Sequence, residues 1–261
     1  MAVTLQFLGS GTSQGVPMIG VDYPESFLAN PKNHRLRPSV LIRSESTQVV
    51  IDTTPEFRLQ MLRAKVKRLD AIVFTHEHAD HVMGLDDCRR FCDPDTEHRL
   101  PVYATEVTLE ALKRIYHYAF HDGPIPKGYF RPDPRCIQGP FTIGDLEFTP
   151  FQLPHGKIES TGYLIAQEGK PKLAYLSDCK VVPDNVIQAV SRIPLVVLDA
   201  LRKTPHPTHM CLDEALTAAR RINADRTLFT HLTHDYDHDL DQGELPPTIE
   251  LAYDELSIEV P

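Results

Sequence analysis

The chain has 261 residues, 41% of them hydrophobic, and this length and composition allow one large core, read as a single domain over residues 1–261. A formal net charge of -9 excludes long polyanions as expected partners, because nucleic-acid binding rests on a basic surface that releases counterions. The five cysteines (Cys88, Cys92, Cys136, Cys179 and Cys211) are odd in number and form no Cys-x-x-Cys pair, so they predict buried, reduced thiols in a cytoplasmic protein and not a disulfide framework.

The opening run, Met1 to Gly9, has no basic leader and too short an apolar stretch for a signal peptide, and no later segment approaches a membrane span. Val3 to Leu8, Ser39 to Arg43 and Gln48 to Asp52 read as strands bounded by Gly, Pro, Ser or Thr. Glu56 to Val66 turns helical, with Phe57, Leu59, Met61, Leu62 and Val66 on one side, and Ala71 to Phe74 is a buried strand. Val82 to Phe91 reads as a helix, Pro101 to Ala104 as a strand and Leu109 to Phe120 as a second long helix. Pro124-Ile125-Pro126 and Arg131-Pro132-Asp133-Pro134 read as connectors.

In the second half, Phe141 to Phe148 is a hairpin turning at Gly144-Asp145, and Gly162 to Ala166 and Lys172 to Leu176 are strands. Asn185 to Val190 is helical, Leu195 to Leu198 a fully apolar strand, Leu212 to Ile222 an Ala-rich helix and Arg226 to Thr230 a strand. Ile249 to Ala252 and Leu256 to Val260 read as a closing hairpin. Two β-rich halves with helices outside predict an α/β protein, a four-layer αββα sandwich whose strand ends meet at one edge.

The strongest chemical signal is His76-Glu77-His78-Ala79-Asp80-His81, placed where the apolar run Leu69 to Phe74 ends. With 13 His and 36 Asp+Glu in the chain, a His-x-His-x-[Asp/Glu]-His match is expected by chance only roughly 0.004 times. A solvated His-rich turn is the ordinary alternative, but clustered imidazoles without a metal repel when protonated and gain nothing when neutral. His155, Asp178 and His231 likewise follow apolar strands, the placement that points a side chain into a cleft at a sheet edge. Five His and two Asp suit two metals that share one carboxylate and one water.

These motifs, in this order across nearly the whole chain, resemble the metallo-β-lactamase-fold hydrolases. The resemblance implies that His76, His78 and His155 hold a first metal, that Asp80, His81 and His231 hold a second, and that Asp178 bridges them. Asp52 resembles the acid that orients ligands by hydrogen bonding, the alternative being a strand-capping turn residue. The loop Gly9 to Pro17 and the segment Arg35 to Ser39 narrow the match to the phosphodiesterase of the carbon–phosphorus lyase pathway, which hydrolyses a phosphoribosyl cyclic phosphate. The tract Thr208 to Ala215 resembles both that enzyme and the tRNA-maturing endonucleases. It implies that His209 contacts the phosphoryl oxygens or protonates the leaving alcohol, acting with Asp80 as a catalytic residue, against a helix-capping or surface His. Close relatives carry a Cys-x-Cys-x-x-Cys zinc clip where this chain has Val21 to Ser26. The matching fourth ligand, His234, therefore reads as a polar loop residue or a substrate contact.

Other features have plainer readings. Cys88 and Cys92 lack a third soft ligand, Cys179 packs, His231 to Asp241 beyond its first residue is a solvated acidic loop, and Arg89-Arg90 and Lys65 to Arg68 are helix-surface charges. Gly9-x-Gly11-x-x-x-Gly15 is a tight loop at the cleft and not a dinucleotide fingerprint. The expected function is hydrolysis of small phosphodiesters, such as a cyclic nucleotide or a phosphoribosyl cyclic phosphate, by a hydroxide shared between two divalent ions, zinc or manganese. The alternatives are thioester or lactone hydrolysis on the same fold and a metal-dependent binding protein without turnover. A small phosphodiester is the expected partner, with a homodimer by analogy to relatives and neither nucleic acid nor membrane.

Overall fold

Alternation of side chains along the strands separates three apolar clusters. In β2 (Ser39–Arg43) and β3 (Gln48–Ile51), Val40, Ile42, Val49 and Ile51 enter one cluster while Leu41 and Val50 enter another, because successive side chains leave a strand on opposite faces. The computed structural model describes residues 2–92, 99–121, 123 and 128–261.

Among these residues two seven-stranded sheets face each other. The first runs, in spatial order, β14 (Ser257–Val260), β1 (Val3–Gly9), β2, β3, β4 (Ala71–Val73), β5 (Leu100–Ala104) and β6 (Pro132–Cys136). The second runs β13 (Ile249–Leu251), β12 (Arg226–Thr230), β11 (Leu195–Asp199), β10 (Lys170–Leu176), β9 (Ile158–Gln167), β8 (Leu146–His155) and β7 (Phe141–Ile143). Phe7, Phe148 and Tyr163 fill the space between the sheets. Each such fully buried ring contributes about 1.5–3 kcal/mol or more. Outside the first sheet, α2 (Phe57–Arg63) and α4 (Glu106–Ile115) bury Phe57, Met61, Leu109 and Leu112. Outside the second, α5 (Asp184–Ala189) and α6 (Leu212–Ile222) bury Val186, Ala215, Ala219 and Ile222. The αββα sandwich expected from the sequence is therefore the fold. No helix among the described residues is long and apolar enough to cross a membrane.

Several local expectations are corrected. The proposed helix Val82 to Phe91 is α3 (Ala79–Val82) followed by a 3-10 turn over Leu85–Phe91. Gly84 marks the break, since a Cβ there would lie 2.0 Å from the Thr54 carbonyl oxygen. The long helix begins earlier, at Glu106, where the Thr105 hydroxyl accepts from the Thr108 amide. Leu59 and Leu62 of α2 are exposed, 46% and 61%. The proline segment Arg131 to Pro134 belongs largely to β6, an edge strand where a missing N–H is tolerated. The acidic segment after His231 contains α7 (His238–Gln242), and α1 (Glu25–Ala29) follows the glycine loop. Cys136 is exposed, whereas the other four thiols are buried. Pro124-Ile125-Pro126 lies outside the described residues.

The final strands form no hairpin. β13 pairs with β12 in the second sheet and β14 with β1 in the first, so residues 252–256 cross from one sheet to the other. Local spacing suits a hairpin, but the two strands do not pair with each other: β13 pairs with the strand before it and β14 with the first strand of the chain.

Strands β3 to β6 run parallel, as do β10 to β13. The carboxyl ends of parallel strands in such sheets border a crevice. Here Asp52 and His76 leave the first sheet, and Asp178, Asp199 and His231 leave the second. Tyr163 Oη donates to the Phe74 carbonyl at 2.6 Å and the Thr161 amide to the Thr75 carbonyl at 2.8 Å, tying the two sheets together beside that crevice.

Candidate metal centre

Backbone geometry turns the side chains inward at the strand ends. Asp52, Asp178 and His231 have φ of 66°, 55° and 62°, a left-handed region that costs a non-glycine residue of order 1 kcal/mol or more and persists only where surrounding structure enforces it. Each stands just past its strand, where the chain must reverse into a loop.

A buried carboxylate organises the His76–His81 segment. Asp52 accepts from the Thr75 amide (2.8 Å), the Thr75 hydroxyl (2.8 Å) and His81 Nδ1 (2.7 Å). Because the Thr75 proton is committed to Asp52, His76 Nδ1 donates to Thr75 Oγ1 at 3.0 Å. His155, at the end of β8, donates from Nδ1 to the Thr208 carbonyl at 3.1 Å. All three rings thus have Nδ1 anchored and Nε2 free for the cleft, the role expected of groups behind metal ligands. Burial raises the Asp52 pKa and outweighs the His81 imidazole and the hydrogen bonds from His81 and Thr75, which lower it.

Two groups of ligand atoms converge. His76 Nε2 lies 2.9 Å from His78 Nδ1, and His155 Nε2 lies 3.3 Å from the same atom. Asp80, His81 and His231 form the second group, with Asp80 Oδ2 3.2 Å from His81 Nε2 and 3.9 Å from His231 Nε2. Asp178 reaches toward both. Its Oδ1 is 3.1 Å from His231 Nε2 and 3.4 Å from His81 Nε2, and it also groups with His76 and with His155. The structure therefore brings together all seven residues singled out as ligands from the sequence.

The electrostatics of the cleft call for positive charge. Burial alone would raise the Asp178 pKa, yet the His231 and His81 imidazoles hold it well below the carboxylate range. Burial likewise opposes charge on His231, but Asp178 and Asp80 push its pKa up to about 9. His76, deeply buried beside other imidazoles, is held well below the usual histidine range. His81 Nε2 and both ring nitrogens of His231 are buried without a hydrogen-bond partner among the described residues. Such orphaned groups are costly unless something binds them. This donor set, imidazole nitrogens and carboxylate oxygens around a common centre, fits divalent metal ions.

His209 stands at the rim of the same cleft. Its ring stacks on His231 (centroids 4.7 Å apart) and meets His155 edge-on (4.6 Å). Its Nδ1 donates to Asp199 Oδ2 at 2.6 Å, which leaves Nε2 free. Asp199 is fully buried and also accepts from the amides of Cys179 and Leu201, both at 3.0 Å. The loop carrying His209 is locked from behind, where the Met210 amide donates to the Cys179 carbonyl and Glu214 accepts from the Cys211 amide at the start of α6.

The cleft, about 290 Å³, is lined by five of the expected ligands (His78, Asp80, His155, Asp178 and His231), by His209 and also by Ser13, Lys157 and Thr208. Sequence reading passed over Asp199, Thr75 and Lys157, while Ser13 and Thr208 stood within the glycine loop and the Thr208 to Ala215 tract without a role of their own. Asp199 had a usable signal, an acid directly after a fully apolar strand, the same pattern that marked Asp52. His234 is not part of this lining. Its Nδ1 lies 3.0 Å from the Tyr23 hydroxyl, which in turn accepts from the Met18 amide. In place of a zinc clip, the segment thus has a hydrogen-bonded Tyr23–His234 contact. The glycine loop does border the cleft, through Ser13 and the bridge of Gly11 to Leu232.

A family model described as a beta-lactamase superfamily domain matches residues 47–232. The chain belongs to the metallo-β-lactamase superfamily. A crystal structure of a "new diphosphatase from the PhnP family" is similar to this metallo-β-lactamase protein with a TM-score of 0.90 and 39% identity, covering 99% of this chain and 97% of that one. The octanoyltransferase of Porphyromonas gingivalis is 33% identical over 258 residues, 95% of this chain and 50% of that protein. Exodeoxyribonuclease YycJ of Bacillus anthracis is 26% identical over 189 residues, 65% of each chain. The chain thus spans half the length of the first of these curated relatives and just under two thirds of the second. The resemblance read from the motifs holds for the metallo-β-lactamase superfamily and for its likeness to the PhnP family.

Proposed function

We propose that this hydrolase cleaves small phosphodiesters with two divalent ions, zinc or manganese, held by His76, His78 and His155 on one side and by Asp80, His81 and His231 on the other, with Asp178 between them. The observation that carries the reading is the position of His209, a buried-acid-backed imidazole with a free Nε2 at the mouth of the ligand cluster. Acyl hydrolysis needs no such second proton donor when the leaving group is a thiolate, whereas expulsion of an alkoxide does. The names of the PhnP-family diphosphatase and of the exodeoxyribonuclease also support phosphoester chemistry. The octanoyltransferase match covers only half of that protein, so its name lends little to an acyl reading.

When bound, the ions supply Lewis acidity and lower the pKa of water from 15.7 toward about 7. The protein contributes the rest. Asp52 fixes the His81 ring so that Nε2 presents its lone pair, and the Thr75 hydroxyl and Thr208 carbonyl do the same for His76 and His155. The fully buried Asp199 orients His209 with Nδ1–H donating to the carboxylate, so that the proton transferred is the one on Nε2. Water adds its oxygen to phosphorus, the bond from phosphorus to the leaving oxygen breaks, and His209 Nε2 protonates that oxygen. The products are a phosphomonoester and an alcohol.

Elemental analysis joined to a substrate panel tests this. Purified protein is expected to hold about two metal ions per chain and to release nitrophenol from bis(4-nitrophenyl) phosphate, with no turnover of thioesters or lactones and none after chelation. The His209→Ala variant is expected to keep its metal and to lose about 10²–10⁴-fold in kcat on a diester with a poor alkoxide leaving group. The reverse substrate pattern overturns the reading.

A further inference from the structure

A cavity of about 470 Å³ opens between α2 and the 3-10 turn over Leu85–Phe91, and it shares no lining residue with the metal cleft. Its floor is apolar. Phe57 and Met61 are buried there, Val66 and Phe91 are half-buried, and Leu62 lines it while 61% exposed. Four exposed cations, Arg58, Lys67, Arg89 and Arg90, share the lining with a single acid, Asp87. Arg89 is paired with Asp86 at 2.5 Å. Arg58, Lys67 and Arg90 have no carboxylate within ion-pair distance among the described residues. The positive charge is local: residues 57–68 carry Arg58, Arg63, Lys65, Lys67 and Arg68 and no acid, in a chain of net charge -9. An apolar hollow left open to water and ringed by charges of one sign gains nothing for folding from either feature.

We propose that this cavity binds an amphiphilic anion, a single alkyl chain ending in a carboxylate or phosphate, with the chain against Phe57, Met61 and Leu62 and the head among Arg58, Lys67 and Arg90. The volume falls within the range of small-molecule sites, which are mostly apolar with a few placed polar groups. Charge complementarity decides the head group. Three unpaired cations against one acid attract an anion and repel an amine of the same length. The shape decides the source. A surface that enters a lipid bilayer projects its apolar side chains outward, whereas Phe57 and Met61 lie at the bottom of a hollow that a free chain end can enter. The site stands apart from the phosphoester chemistry, and nothing in it depends on the metal ions.

Titration of the metal-loaded protein, carrying isotope-labelled methionine methyl groups, with octanoate, hexanoate and octylammonium tests this by nuclear magnetic resonance. The Met61 methyl signal is expected to move with octanoate, and that of Met210, next to His209 in the chain, to stay. Octanoate is expected to bind about fifteenfold tighter than hexanoate, two buried methylenes at about fourfold each. It is expected to bind about tenfold tighter than octylammonium, an exposed attraction in one case and an exposed repulsion in the other. High salt shrinks that second preference. Replacing Arg58 and Arg90 together by Gln removes most of it, replacing both by Lys keeps it, and Leu62→Asn lessens the gain per methylene; all three side chains are exposed, so these proteins are expected to fold. Movement of Met210 in place of Met61 would put the ligand at the metal ions and overturns the inference. So does an unmoved Met61, equal binding of the two head groups, an octanoate affinity unchanged in the double Gln variant, or binding to phosphatidylglycerol vesicles with none to monomeric octanoate.

Discussion

The two sheets use the same device at the cleft for different ends. At the end of β3, buried Asp52 grips His81 at 2.7 Å; at the end of β11, buried Asp199 grips His209 at 2.6 Å. Both carboxylates are fully buried and both also accept backbone amides. The difference lies in what the free nitrogen faces. His81 Nε2 is sealed among Asp80 and Asp178, whereas His209 sits at the rim of the cleft. In the function proposed above, identical anchoring serves a ligand where the imidazole is enclosed by carboxylates and a proton donor where it borders open space.

Breaking each grip in turn sharpens this contrast. Asp199→Asn is expected to have the largest effect, a fall of about 10²-fold in kcat with metal content unchanged, because an amide leaves the His209 tautomer unspecified. Steady-state kinetics beside elemental analysis checks it, and loss of metal would show that Asp199 serves the ligands as well. Asp52→Asn is expected to act the other way round, weakening metal affinity by about 10–100-fold, with most activity restored by excess metal. A chelator titration followed by activity recovery measures this.

A third carboxylate, away from both grips, gives the smallest effect and a contrast of another kind. Asp254 accepts from the Ser10 amide and hydroxyl and from the Leu36 amide, and burial pushes its pKa up to about 6. A carboxyl raised in the folded state favours folding below the unfolded value near 4, and that contribution disappears as pH rises through about 6. Native stability should therefore fall by about 2 kcal/mol between those limits relative to Asp254→Asn, as read by urea denaturation at each pH. A flat difference between the two proteins would mean that Asp254 is ionised throughout.

Much of the site was legible because its ligands are marked by strand endings. Val49 to Ile51, Ala71 to Val73 and Arg226 to Thr230 are apolar or half-apolar runs whose ends are visible in the sequence, and Asp52, the His76–His81 segment and His231, which follow them, gather at or behind the cleft. Asp199 escaped because the run Leu195 to Leu198 ends in one acid with no histidine beside it, and its partner His209 lies ten residues on, beyond a loop. The misread end of the chain has a different cause. Strands β13 and β14 have the spacing and alternation of a hairpin, but they extend different sheets, β13 beside the preceding β12 and β14 beside β1 at the other end of the chain, a choice made by burial and not by local spacing. Gly84 likewise broke a helical pattern for a reason that only packing against Thr54 reveals.

The pairing of β14 with β1 also bears on how the polypeptide reaches its final form. During synthesis β1 emerges well before β14, so its outer edge waits unpaired until residues 257–260 are made. An unpaired strand edge is a template for pairing with other chains, and contacts this distant in sequence are slow to form. The second sheet has no such delay at β7 to β10, whose partners are all nearby in the chain. The nascent protein therefore has one edge needing shelter from its neighbours for as long as it takes to make everything between β1 and β14.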